Sequence, residues 1–182
     1  MIQEKIANGD LLYHAVHGLC RVDKIIQQTQ SGKKTLFYSL VPKMAGKMKV
    51  RFTIPAEDIE TSGFHSLVSL KEANEILDYL KAGNSAATPS RVALETVPNF
   101  SQPNQTWSLA KVILSFSYDN PQAKDQKKRQ ILEHSVKGLI GELASVFKIT
   151  LKETAAKVQK SLGNASKINP AVLVALANTD DY

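Results

Sequence analysis

Lys49-Val50-Arg51-Phe52-Thr53-Ile54 alternates without a break. Val50, Phe52 and Ile54 fall on one side of an extended chain. Lys49, Arg51 and Thr53 fall on the other, which is the pattern of a strand with one face buried. Pro55 follows and takes away a ladder donor, so the strand is expected to end there. Upstream, residues 11–16, 20–26 and 36–41 are rich in Val, Ile, Leu, Phe and Tyr. Turn formers separate them: His17-Gly18, Ser31-Gly32-Lys33 and Ala45-Gly46. Four or five short antiparallel strands in so short a stretch bury a core only by curling. The expectation for residues 1–65 is therefore a small SH3-like or Tudor-like β-barrel.

Downstream the pattern changes to helical. Ser69 with Glu72 three residues later is a capping-box pair. Ala73, Ile76, Leu77 and Leu80 then form one apolar face, and Gly83 is read as the stop. Residues 84–105 contain Pro89, Pro98 and Pro103 among Asn, Ser and Gln, and read as an irregular connector with at most one helical turn near 90–95. Helices are expected at about 108–117, 123–147 and 151–162. A short last one covers 170–177, with Pro170 in its first turn. The fold class is thus α+β, a small barrel over residues 1–65 and an all-α domain over 66–182. Residues 149–182 form an extra helical tail.

Composition narrows the class of protein. The chain has 182 residues, 43% hydrophobic and 22% charged, which is ordinary globular usage and excludes a disordered, collagen-like or rod-like chain. One cysteine, Cys20, excludes an internal disulfide framework and a multi-cysteine zinc site. No apolar run approaches the roughly 18 to 20 residues a membrane span needs. Met1-Ile2-Gln3-Glu4-Lys5 does not have the form of a signal peptide. A cytoplasmic protein with no membrane partner is expected. The net charge of +6 suggests a polyanionic partner. It divides evenly, however: residues 1–65 hold nine basic and six acidic residues, and residues 66–182 hold fourteen and eleven. The stretch 24–56 has seven basic residues and no acid, which suits either a binding face or a solvated edge strand, where lysines block unwanted pairing. Lys124, Lys127, Lys128 and Arg129 open a helix, where cations oppose its dipole at a cost of roughly a few tenths of a kcal/mol each.

Signatures of catalysis are lacking. The chain has no phosphate-binding glycine loop, no G-x-S-x-G and no dinucleotide fingerprint. His14, His17 and Cys20 as a zinc site would need a fourth ligand and a reshaped strand. Cys20 with His14 or His17 forms a nucleophile pair only if its thiol is accessible, and a lone cysteine in a strand is more often a small buried hydrophobe. The expectation is a binding protein, with no catalytic residue, metal, cofactor or small-molecule substrate.

The stretch Gly9-Asp10-Leu11-Leu12-Tyr13-His14-Ala15-Val16-His17-Gly18-Leu19-Cys20-Arg21-Val22 resembles the opening motif of the CarD/CdnL family, bacterial transcription regulators that bind RNA polymerase. Further likenesses follow in order: Phe37-Tyr38-Ser39-Leu40, Lys49 to Pro55, and Ser62-Gly63-Phe64-His65. Late in the chain, Lys128-Arg129-Gln130-Ile131-Leu132 and Leu139-Ile140-Gly141-Glu142-Leu143-Ala144 are similar to the family's last long helix. The resemblance spans about residues 8–148. It implies a barrel that pairs with the polymerase β subunit at a sheet edge, and a helical domain that lies on promoter DNA without reading its sequence. The polymerase-facing residues would be Gln28, Lys49, Arg51 and Thr53. Gln28 and Thr53 stand where the family often has basic residues, and Arg51, on the same face as Thr53, is the substitute. The DNA-facing residues would be Trp107, Lys111, Lys124, Lys127, Lys128 and Arg129. Trp107 corresponds to a family tryptophan that wedges into the minor groove, where an inserted side chain holds a distorted step open. A tryptophan at a helix start also suits a core position, and both readings stand. The rival functional reading is a protein–protein adaptor whose helices do not touch DNA.

Overall fold

The computed structural model describes residues 6–30, 33–43, 50–59, 61–85, 105–118 and 126–178. The chain divides into two compact units, Met1–Leu67 and a second beginning at Val68.

The first unit is one antiparallel sheet of five strands: β1 (Leu11–His14), β2 (Gly18–Gln30), β3 (Lys33–Pro42), β4 (Phe52–Pro55) and β5 (His65–Ser66). Their spatial order is β4-β3-β2-β1-β5. Gly18 starts β2 at φ 68°, a left-handed conformation that glycine adopts without a Cβ penalty. The turn before it is held by the His14 imidazole, whose Nδ1 accepts the backbone N–H of Val16 at 3.0 Å.

The expected closed barrel is not formed: among the described residues no ladder joins β4 to β5. Little backbone is available for closure, since β5 has two residues and Pro55 in β4 has no N–H to donate. The sheet is nevertheless strongly curled. Flat, its two edges would lie four strand spacings apart, about 19 Å. Instead the ring of Phe52 in β4 lies 5.8 Å, centroid to centroid, from that of Phe64, the residue before β5. A register shift in β2 between Val22 and Lys24 assists the bend, as bulges do. The curl encloses Leu12, Cys20, Val22, Leu40, Ile59 and Phe64.

Strands β2 and β3 run further than the apolar pattern suggested. Gln27, Gln28 and Thr29 pair with Leu36, Thr35 and Lys34. Those rungs are backbone hydrogen bonds, which hydropathy does not report. β5 was likewise not anticipated, because two residues carry no periodicity.

The second unit contains five helices: α1 (Leu70–Ser85), α2 (Gln105–Tyr118), α3 (Gln126–Phe147), α4 (Leu151–Leu162) and α5 (Pro170–Ala177). The capping box at α1 is present: Ser69 N–H donates to Glu72 Oε2 at 2.8 Å, and Glu72 N–H to Ser69 Oγ at 3.2 Å. Thr150 and Glu153 repeat the device at α4. The connector expected over 84–105 falls largely outside the described residues. Buried Leu, Ile, Val and Ala from all five helices form one core, with Ile76, Leu80, Leu109, Ile113, Leu139 and Leu143 at its centre. Among the described residues no helix is long and apolar enough to cross a membrane.

Gly83 does not stop α1, which continues to Ser85. A Cβ on Gly83 would lie 2.5 and 2.6 Å from the two methyls of Leu114 in α2. The glycine is there for close approach, not for termination. Gly83→Ala gains about 1 kcal/mol of helix propensity and loses about 1–3 kcal/mol to overpacking. A lower urea midpoint is the expected net result.

Candidate interaction surfaces

Arg51 lies immediately before β4, and its guanidinium has a partner inside the chain. Nη1 forms an ion pair with Asp23 Oδ2 at 2.9 Å and donates to Ser39 Oγ at 3.2 Å. Asp23 sits at the register shift of β2 and also lies 4.0 Å from Arg21. Two arginines thus share one carboxylate, leaving a local excess of positive charge. Half of the Arg51 side chain, 51%, is exposed. Asp23 is the residue that sequence reasoning missed. The signal was available: Arg21 and Asp23, two apart in a strand, share a face.

Thr53 is exposed and pairs with Ser39, so it lies on the outer strand beside the Arg51 cluster. β4 is hydrogen-bonded to β3 on one side only, and its other edge is open among the described residues. Gln28 is exposed but remote from them. It is four residues along β2 from Lys24, which shares a ladder row with Ser39 and Thr53, an offset of about 13 Å. Lys49 lies outside the described residues. The four expected polymerase-facing residues therefore do not form one patch; Arg51 and Thr53 do.

Beside β4 lies an aromatic cluster. His14 and His17 stack with centroids 4.5 Å apart, and His17 lies 4.4 Å from the Phe52 ring. His14 is used by the turn, and Cys20 is fully buried in the sheet core, so these residues do not converge as ligands. No group of three potential metal ligands occurs among the described residues. Burial pushes the Cys20 thiol up to about 11, so very little thiolate exists near neutral pH.

In the helical unit, Trp107 falls in the first turn of α2. It is half-buried against the core and meets the Tyr79 ring of α1 edge-on at 5.7 Å. Lys111, one turn later, is exposed, as are Lys127 and Arg129; Lys128 is half-buried. Arg129 is paired along α3 with Glu133 at 2.8 Å. Lys124 lies outside the described residues. α2 and α3 are neighbours joined by a short link, and Thr106 near the start of α2 touches Glu142 late in α3, so the two run antiparallel. At 1.5 Å per residue, Trp107 is then about 20 Å along the bundle from Lys127. Lys111, one turn from Trp107, is about 15 Å from Lys127. The expected DNA-facing residues are spread along the bundle rather than gathered around the tryptophan.

Among the described residues Glu142 is the one fully buried acid of the helical unit's core. Its Oε2 accepts from Thr106 Oγ1 at 2.7 Å, and its Oε1 accepts the Val68 N–H at 3.1 Å. One carboxylate therefore ties α3 to α2 and to the segment leading into α1. Its place between Leu139 and Leu143 on the same helical face was the available signal.

No family model and no curated protein matches the chain.

Proposed function

We propose that this chain is a CarD-like, non-catalytic regulator of transcription initiation, acting in the cytoplasm. Its N-terminal unit, a curled sheet of SH3-like or Tudor-like type, docks on the RNA polymerase β subunit. Its helical unit touches promoter DNA without reading sequence and changes the stability of the open complex. The observation that carries the reading is the edge of β4 that is unpaired among the described residues, flanked by the exposed Thr53 and the half-exposed Arg51. An open edge offers unpaired backbone groups to a partner strand. The excess positive charge of the Arg21–Asp23–Arg51 cluster favours an acidic partner surface. The ordered motifs from Gly9 to Pro55 supply the identity of that partner.

The test is a pull-down with a polymerase β fragment. Wild type is expected to bind, and Arg51→Glu, which places a second acid beside Asp23, to bind about tenfold more weakly, or about 1.4 kcal/mol. Absence of binding by the wild type refutes the reading.

The adaptor reading is favoured by one observation: Trp107 packs on Tyr79 and the helical core instead of standing clear among basic residues. An open-complex lifetime that is unaffected by the wild-type chain, alongside intact polymerase binding, would select it.

A further inference from the structure

The helical unit carries a second basic stretch, apart from Lys124 to Arg129, where no expected site residue lies. Residues 148–178 contain five lysines and one acid, a net +4 out of the chain's +6. Lys152, Lys157 and Lys160 are exposed on α4, on the side away from the buried Thr154, Ala155, Val158 and Leu162. Lys148, also exposed, stands just before the helix. None of these ammonium groups has an acid within 4 Å among the described residues.

The single acid does not cancel the face. Both capping bonds of Thr150, from its N–H and its Oγ1, go to Glu153 Oε2 at 2.8 Å. Of the neighbouring elements, α5 has no charged residue, and α1 carries Glu72, Glu75 and Asp78 against Lys71 and Lys81, with Glu75 paired to Lys71. Lys148 also adopts φ 56°, a left-handed position at the end of α3 where glycine is more stable.

The chemistry of the face selects its partner. It holds no exposed aromatic or large aliphatic side chain between the lysines, among which lie Glu153, Ala156 and Gln159; Lys157 rests 5.6 Å over the half-buried Phe147 ring. A protein interface needs such anchors at its centre. A membrane-surface helix needs a free apolar side, whereas that of α4 is buried in the core. Single-stranded nucleic acid needs stacking platforms. What remains is a rigid polyanion with closely spaced charges. Lys152 to Lys160 covers about 12 Å along the axis, beside a duplex that presents a phosphate charge about every 1.7 Å.

We propose that the solvent face of α4, with Lys148, Lys152, Lys157 and Lys160, is a binding site for the phosphate backbone of duplex DNA, independent of sequence. The inference rests on the DNA half of the proposed function and moves the contact from α2 and the start of α3 to α4.

The test measures fluorescence anisotropy of a labelled 20-base-pair duplex of arbitrary sequence with the full chain across a salt series. Lys152→Gln/Lys157→Gln/Lys160→Gln is compared with the equal charge loss Lys127→Gln/Lys128→Gln/Arg129→Gln, both checked for unchanged circular dichroism. The α4 variant is expected to bind at least tenfold more weakly, with its log–log salt slope smaller by about 2–3. The α3 variant should lose less than one unit of slope. Equal losses would mean that binding follows net charge alone and overturn the α4 site, as would a larger loss in the α3 variant. Tighter binding of a 20-base single strand would overturn the duplex assignment. No binding by the wild type would remove both this inference and the DNA half of the proposed function, leaving the polymerase pull-down to decide the rest.

Discussion

Glu142→Ala is expected to lower the unfolding free energy by about 2–6 kcal/mol, at about 1–3 kcal/mol for each hydrogen-bonding group left without its acceptor. The variant leaves the Thr106 hydroxyl and the Val68 N–H inside the core without their acceptor. It also leaves a void beside Leu139 and Leu143. Urea denaturation followed by far-ultraviolet circular dichroism reads the loss directly. A double substitution separates the two causes. Glu142→Leu/Thr106→Val replaces the side-chain pair with apolar groups of similar volume and should recover part of the stability, because the Thr106 hydroxyl no longer needs an acceptor. A Glu142→Ala change below about 1 kcal/mol would show that water replaces the carboxylate and that the tie contributes little.

Leu40→Ala is expected to cost about 2–5 kcal/mol in the N-terminal unit, the usual range for a leucine truncated in a packed core. Leu40 is fully buried, lies in β3, and pairs with Val22 on one side and Phe52 on the other. Its side chain fills the concave side of the curl, where no second layer of strands can move in to close the void. The consequence reaches the proposed docking edge, because Phe52 is held to β3 through this row. Polymerase binding by Leu40→Ala should fall with stability and recover on cooling toward the temperature of maximum stability. A variant as stable as wild type would contradict the core assignment.

How much of this was legible in the sequence depended on where the determining partner lay. The capping box at Ser69 and Glu72 spans three residues and could be read directly. So could the apolar face of α1 and the proline at the start of α5. Gly83 was misread as a stop because its reason, the methyls of Leu114, is 31 positions away. Arg51 was legible as a basic residue just before β4, and the Arg21–Asp23 pair could be read within β2, but the pairing of Arg51 with Asp23 could not, the two being 28 positions apart. The closed barrel was inferred from strand count and need for a core. The sheet meets that need differently, by bringing Phe52 and Phe64 together with no ladder between their strands. The dispersal of Trp107, Lys111 and the start of α3 along the bundle follows from helix direction, which a linear reading does not contain.

The paired strands β2 and β3 combine two environments in a single ladder. At one end Val22 and Leu40 are buried; at the other Gln27, Gln28, Thr29, Lys34 and Leu36 are exposed. Opening from the exposed end breaks hydrogen bonds without uncovering apolar core, so it demands far less free energy than opening from the buried end. Amide protons along this hairpin should exchange with deuterated solvent in a graded series, fastest near Thr29 and Lys34 and slowest at Val22 and Leu40. The hairpin would thus fray like a zipper with one fastened end, its rows at Val22 and Leu40 held while those at Thr29 and Lys34 open.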